Sequence, residues 1–172
     1  SPSDFYFDVA GTAFSVAQYY IPFLQNFSPK FQYIPSNWFG ERKRVPSEIF
    51  IDDYSSQVFW LSANIHNMLP QSMKDYWPSW LQLSIGYTAR NLCVPGYKEC
   101  EGKQYDVMLP NVSGDPKYIL ALDYDLVKLL PEGGSFWNWL RQSLNLIKLP
   151  SPAIEFSKSS TKFYLMYPFF GK

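Results

Sequence analysis

Histidine and charge are both scarce in this 172-residue chain, which has one histidine and only 17% charged residues. Fifteen basic residues balance fifteen acidic ones, whereas a nucleic-acid-binding domain normally carries a basic stripe. A Ser-His-Asp or Cys-His site would have to be built on His66, whose place at a strand end favours a hydrogen-bonded structural role. Gly133 and Gly134 have no lysine behind them, unlike a phosphate-binding loop. We therefore expect no enzymatic activity, no cofactor and no nucleic-acid partner.

Cysteine is limited to Cys93 and Cys100. Pro95 and Gly96 lie between them and form a turn signal that would bring the two thiols together. We expect a disulfide, which implies an oxidising compartment such as a periplasm; the alternative is two unpaired thiols. Two thiols and one distant histidine are a poor ligand set for a metal ion, so no metal site is predicted.

The start of the chain has no initiator methionine, and residues Ser1–Phe7 do not resemble a signal peptide. Such a start is typical of a mature product or of a fragment of a longer protein. No repeat, linker or low-complexity segment interrupts the sequence, and its length fits one domain over residues 1–172.

Aromatic residues, in contrast, are abundant: 14 Phe, 13 Tyr and 6 Trp. This is more ring surface than a small core needs. One interpretation is a well-filled core with large interfaces, and the other is a wall that faces lipid, where Trp and Tyr gather at the headgroup level.

Two stretches, Val58–His66 and Trp80–Thr88, alternate strictly between apolar and mostly polar positions. Period two with a solid apolar row is typical of a strand with one buried face, and we expect the apolar rows to be that face. Each stretch is close to the roughly 9–11 residues of a strand that crosses a bilayer. Further strands are predicted at Lys117–Val127, with Asp123 and Asp125 on its solvated face, and at Ala153–Phe156 and Lys162–Phe170.

Helices are predicted from Val9 to Tyr20, around Pro70–Trp77, and from a Ser135 cap to about Leu149. In the last helix Phe136, Leu140, Leu144 and Ile147 form the centre of an apolar stripe that should face the sheet. We expect Trp139 to face inward and Trp137 to face lipid or a partner. The predicted fold class is α+β, an antiparallel sheet or small partial β-barrel with two or three amphipathic helices.

Several phrases of the sequence, in order, resemble one family. They are Asp8–Ala13, Asp52–Tyr54 leading into Trp60–Asn64, Trp80–Tyr87 and Leu144–Phe156. The family is the YfiM-like group of predicted periplasmic lipoproteins, a domain of unknown function, in its Bacteroidota branch, and the likeness is to the C-terminal part of longer members. The resemblance implies a cell-envelope location and no activity. This chain lacks the Asp/Lys/His motif of the upstream helical segment of those members.

These observations predict a non-enzymatic cell-envelope protein, a structural or accessory subunit in or against the outer membrane. Its expected partners are outer-membrane lipid or a larger envelope complex. The alternative is a soluble periplasmic binding module for an apolar ligand such as a lipid. The residues expected to contact membrane or partner are Trp60, Trp80, Phe136, Trp137, Trp139, Phe169 and Phe170.

Overall fold

A computed structural model describes residues 2–35, 38, 54–90 and 114–171. The α-helices in this part of the chain are α1 (Pro2–Tyr20), α2 (Ile65–Met68), α3 (Leu126–Leu129) and α4 (Ser135–Leu144). The strands are β1 (Phe27–Tyr33), β2 (Gln57–Ala63), β3 (Leu81–Arg90), β4 (Asp115–Tyr124), β5 (Ala153–Phe156), β6 (Thr161–Met166) and β7 (Phe169–Gly171). Short 3₁₀ helices cover Pro22–Asn26, Tyr54–Ser56 and Gln71–Tyr76.

The seven strands form one antiparallel sheet in the order β1-β2-β3-β4-β5-β6-β7. Each strand therefore pairs with its neighbours in sequence. The sheet is curved like part of a barrel, but it is not closed, and helices are attached to it. The predicted α+β class and partial-barrel architecture are confirmed.

The helices gather at one end of this sheet, which we call the helical end. α1 and the 3₁₀ helix Pro22–Asn26 precede β1, α2 and Gln71–Tyr76 join β2 to β3, and α3 and α4 join β4 to β5. Because consecutive strands are antiparallel, all three of these segments lie at the same end of the strands. The C-terminal ends of β1 and β3 and the N-terminal ends of β2 and β4 lie at the opposite end.

Contacts between distant strands show that the sheet curls strongly. The indole of Trp60 on β2 lies 5.8 Å from the ring of Tyr167, which follows β6. The segment after α4 reaches back to β1, where Phe31 N donates to Leu146 O and Lys148 N donates to Phe31 O, both at 2.9 Å. This segment covers part of the β1 edge before the chain enters β5.

The concave face of the curled sheet is the buried one, and it carries the polar rows. On β3, Gln82, Ser84 and Thr88 are buried, whereas Ile85 and Tyr87 are exposed. The prediction that the apolar rows are buried is therefore wrong. The alternation does mark two distinct faces, but the apolar face is the convex one and points away from the interior.

Several predicted boundaries also change. The helix expected to run to about Leu149 ends at Leu144, and Gly134, not Ser135, occupies the N-cap position without a side-chain cap hydrogen bond. The strand predicted at Lys162–Phe170 is divided into β6 and β7 by a turn at Tyr167 and Pro168. Ala153–Phe156 forms β5 as predicted.

Candidate functional site: an apolar convex face over a charged interior

A row of five aromatic residues crosses the convex face from β1 to β5. Each member is the direct cross-strand partner of the next: Phe31, Phe59, Tyr87, Tyr118 and Phe156. The rings of Phe31 and Phe59 lie 5.8 Å apart and those of Tyr87 and Tyr118 lie 5.6 Å apart. All but the first of these five are exposed, and Phe31 is half-buried. We call this set the aromatic row.

Aliphatic residues fill the convex face between the aromatic row and the helical end. The next register row holds Leu61, Ile85, Leu120 and Ile154, and the one below it Ala63, Leu83 and Leu122. At the helical end aromatic residues return, because Trp80 stacks on Tyr124 with ring centroids 6.2 Å apart. The convex face is thus an aliphatic band between two aromatic borders.

A shallow groove of about 570 Å³ runs across this face. Phe59, Ile85, Tyr118 and Phe156 are among its lining residues. Its floor includes Gly86, where a Cβ atom would lie 2.7 Å from the indole of Trp60 on the other side of the sheet. Glycine at this position lets the Trp60 ring lie flat against the sheet.

The concave interior, by contrast, is polar. Within the described residues, sixteen buried side chains are polar or charged and nine are apolar. Lys30 on β1 forms an ion pair with Asp123 on β4 at 2.8 Å, and Lys148 lies 3.6 Å from the same carboxylate. The hydroxyl of Ser62 donates to Asp123 Oδ2. We call Lys30, Asp123 and Lys148 the charge cluster. The prediction that Asp123 and Asp125 lie on a solvated face is wrong, because their side chains are buried.

The ammonium group of Lys148 is held by a cage of oxygen acceptors. It donates to Leu122 O at 2.8 Å, Leu149 O at 3.0 Å and Ser151 Oγ at 2.7 Å. Burial lowers the pKa of Lys148 to about 8, an effect that Asp123 opposes and Lys30 reinforces. The same ammonium group lies 4.9 Å from the centre of the Trp60 ring, a cation–π distance.

A second buried ionic group occupies the side of the interior near β5. Lys117 lies 3.3 Å from Glu155, and the hydroxyl of Tyr167 donates to the other oxygen of Glu155 at 3.3 Å. Burial and the neighbouring Glu155 raise the pKa of Tyr167 above its usual value, so this hydroxyl is a donor at neutral pH.

Three of the predicted contact residues are tryptophans whose surroundings the structure describes directly. Trp60 is only 4% exposed and donates its indole N–H to Gln32 Oε1 in the interior, so its expected contact with a membrane or partner is wrong. Trp139, expected to face inward, is 60% exposed. Trp137, expected to face outward, is 37% exposed and donates its indole N–H to Pro131 O at 2.9 Å.

The remaining predicted contact residues lie on the surface. Trp80 is half-buried at the helical end, and Phe136, Phe169 and Phe170 are exposed. The Phe169 ring lies 5.3 Å from that of Trp38, beyond β1. Whether these residues contact lipid or a partner stays a prediction. Cys93 and Cys100, with their predicted disulfide, lie outside the described residues.

His66 has a structural hydrogen bond, as predicted: its Nδ1 lies 2.7 Å from Trp77 O. No three His, Cys, Asp or Glu side chains of the described ranges are grouped as a metal site requires. None of the helices in these ranges is long and apolar enough to cross a membrane.

No family model, curated protein or solved structure matches this chain. The resemblance to the YfiM-like group stays a prediction.

Proposed function

We propose that this protein is a non-enzymatic cell-envelope protein whose convex face lies in the lipid of an outer membrane, where it serves as a structural or accessory subunit. The aromatic row is the observation that carries the proposal. Outer-membrane strands alternate between apolar residues that face lipid and polar residues that face the lumen, and aromatic girdles mark their interfaces. The convex and concave faces of this sheet follow the same order.

Exposure of the convex face to water would be unfavourable. Phe59, Ile85 and Tyr118 are each between 56% and 60% exposed, and they belong to a continuous apolar surface across five strands. Soluble monomers rarely expose contiguous apolar patches larger than a few hundred Å². Lipid acyl chains would cover this surface without any change in the sheet.

The dimensions of the face favour partial embedding. On β4, Tyr118 and Tyr124 mark the two aromatic borders six residues apart, about 20 Å along an antiparallel strand. The apolar band of outer-membrane barrels is about 25 Å tall. The convex face is therefore nearly as long as such a band, although strand tilt would reduce its height along the membrane normal. Seven strands are also fewer than the eight of the smallest such barrels.

The interior gives less support to an apolar ligand held between strands and helices. Charged groups of Lys30, Asp123 and Glu155 occupy that space, and an apolar molecule there would have to displace buried ion pairs. If the protein is instead a soluble binding module, its apolar ligand would have to bind in the convex groove near Ile85. A single lipid chain in the groove would then cover the apolar residues that a bilayer covers in the main proposal.

Flotation with phosphatidylcholine vesicles tests the proposal through Ile85→Lys. A cationic side chain on the lipid face costs about 2–4 kcal/mol at the bilayer midplane, so we expect the vesicle-bound fraction to fall by at least tenfold. Ser159→Lys, on the exposed turn between β5 and β6, is the matched control and should float like the wild type.

Two results would overturn the proposal. In one, the wild-type protein stays in the aqueous phase without detergent and yields one bound lipid per chain on extraction, which is the behaviour of a binding module. In the other, Ile85→Lys and Ser159→Lys float equally well with both variants folded, which would show that the convex face does not contact the bilayer.

A further inference from the structure

Helix α4 has the same reversed arrangement of polar and apolar residues as the sheet. Arg141 is its one buried residue, at 5% exposure, whereas Phe136 is 72% and Trp139 60% exposed. At about 100° per residue, Phe136, Trp139 and Ser143 fall within about 60° of one another, and Arg141 lies nearly opposite. An amphipathic helix on a water-soluble domain would turn the aromatic side inward.

Hydrogen bonds hold the helix in this orientation. Arg141 Nη1 donates to Val127 O at 2.9 Å and to Leu130 O at 3.0 Å, at the end of α3. Asn138 exchanges two hydrogen bonds with the backbone of Gly133, at 2.8 and 3.1 Å. The polar side is therefore anchored to the chain, and the aromatic side is left exposed.

Phe136 and Trp139 form a single aromatic pad, with ring centroids 5.8 Å apart. The pad lies at the helical end, on the connection from β4 to β5. The chain then continues through the exposed residues Leu146 and Ile147, and Ile147 pairs with Phe31 of the aromatic row. The apolar surface of α4 is thus joined to the convex face by the chain itself.

The exposed side of α4 carries no charge. Around Phe136 and Trp139 it carries Ser135 and Gln142, which are exposed, and Leu140 and Ser143, which are half-buried. Trp and Phe next to small polar groups suit the boundary between headgroups and acyl chains, where amphipathic helices lie flat. The absence of lysine and arginine on this side means that binding there would not depend on anionic lipid.

From this geometry we propose that α4 lies flat in the headgroup boundary of the membrane at the helical end, and that Phe136 and Trp139 insert there as an uncharged anchor. The inference rests on the proposed function, because it requires that the convex face of the sheet and α4 contact the same bilayer. It fixes the orientation of the protein: the helical end lies at one membrane surface, and the C-terminal ends of β1 and β3 lie toward the other.

Vesicle partitioning of the full chain tests the anchor. The double variant Phe136→Ser/Trp139→Ser removes two exposed side chains, and we expect its partition coefficient on phosphatidylcholine vesicles to fall about tenfold. The loss should be equal on vesicles that contain phosphatidylglycerol and should not change with salt. Gln71→Ser, at an exposed polar position of the same end, is the control and should bind like the wild type.

Fluorescence quenching by brominated phosphatidylcholine gives a second readout with conservative variants. Bromines near the carbonyl level should quench the fluorescence of Trp139 and should not quench that of Trp137. The emission of each tryptophan is obtained as the difference between the wild type and Trp139→Phe or Trp137→Phe. An unquenched Trp139, or a Phe136→Ser/Trp139→Ser variant that partitions like the wild type, would overturn the anchor. A wild-type dimer in water that this variant makes monomeric would overturn it too, because a second copy would then cover the pad.

The two proposals fail in different ways. If Ile85→Lys floats normally, the lipid face of the sheet is wrong whatever α4 does. If Ile85→Lys loses binding while the Phe136→Ser/Trp139→Ser variant keeps it, only the anchor on α4 is wrong.

Discussion

The ammonium group of Lys30 on β1 lies 2.8 Å from the carboxylate of Asp123 on β4, although β2 and β3 separate the two strands in the sheet. This contact requires strong curvature, because a flat sheet would hold β1 and β4 about 14 Å apart. Lys30 also donates to Tyr124 O at 2.8 Å. The ion pair thus joins the first strand to the end of the fourth across the concave face.

The charge cluster predicts a large effect of Asp123→Asn. The substitution leaves Lys30 and Lys148 buried with no anion between them, and removal of one partner from a buried ion pair costs about 3–5 kcal/mol. Chemical denaturation should show this loss in the free energy of unfolding. Asp75→Asn, at an exposed position, is the control and should change it by less than about 0.5 kcal/mol. Equal effects of the two variants would contradict a stabilising role for the cluster.

Lys148 should give unfolding a characteristic pH dependence. Its folded pKa of about 8 lies below the ordinary lysine pKa of 10.5, so between pH 8 and pH 10.5 the unfolded chain holds a proton that the folded chain has released. The free energy of unfolding therefore rises with pH in this range, and Lys148 contributes at most about 1.4 kcal/mol per pH unit to that rise. Denaturation at pH 7.5, 9 and 10 should show a steeper rise for the wild type than for Lys148→Met, and parallel curves would contradict the prediction.

The close approach of Gly86 to Trp60 predicts that Gly86→Ala is destabilising. The added Cβ would lie 2.7 Å from two ring carbons, and overpacking of this kind costs about 1–3 kcal/mol. In the background of Trp60→Leu, where the ring is absent, the same substitution should cost much less. A double-mutant cycle from denaturation curves measures this coupling, and additive effects would show that the two residues are independent.

Sequence periodicity predicted the strands well and their buried side wrongly, for one physical reason. Alternation shows that the two faces of Trp80–Thr88 differ, but the choice of buried face depends on the surrounding medium and on distant partners. Ser84 is buried on the face where its hydroxyl contacts that of Ser62, which in turn bonds to Asp123, and Asp123 is the ion-pair partner of Lys30 and Lys148. No local pattern brings residues 30, 123 and 148 together.

The same reason explains why Trp139 on α4, expected to face inward, is 60% exposed. The apolar stripe around Phe136 was assigned to the core because a helix in water buries its apolar side. Arg141 is the residue that decides the orientation, through carbonyl acceptors on α3 that sequence spacing does not reveal. Regular elements, their order and the fold class were within reach of the sequence, whereas the direction of each face was not.

The hydrogen bonds of Arg141 predict that its loss would loosen the attachment of α4 to α3. Arg141→Met keeps much of the side-chain volume but leaves Val127 O and Leu130 O without their donor, and an unsatisfied buried acceptor costs about 1–3 kcal/mol. Hydrogen exchange should therefore become faster in α3 and α4 while β2–β4 keep their protection. Arg141→Lys keeps a cationic donor but replaces the planar guanidinium, whose Nη1 donates to both carbonyls, so we expect an intermediate effect. Gln142→Met, on the exposed side of the same helix, is the control. If Arg141→Met and Gln142→Met exchange alike, the guanidinium does not hold the helix, and another contact must set the outward direction of Phe136 and Trp139.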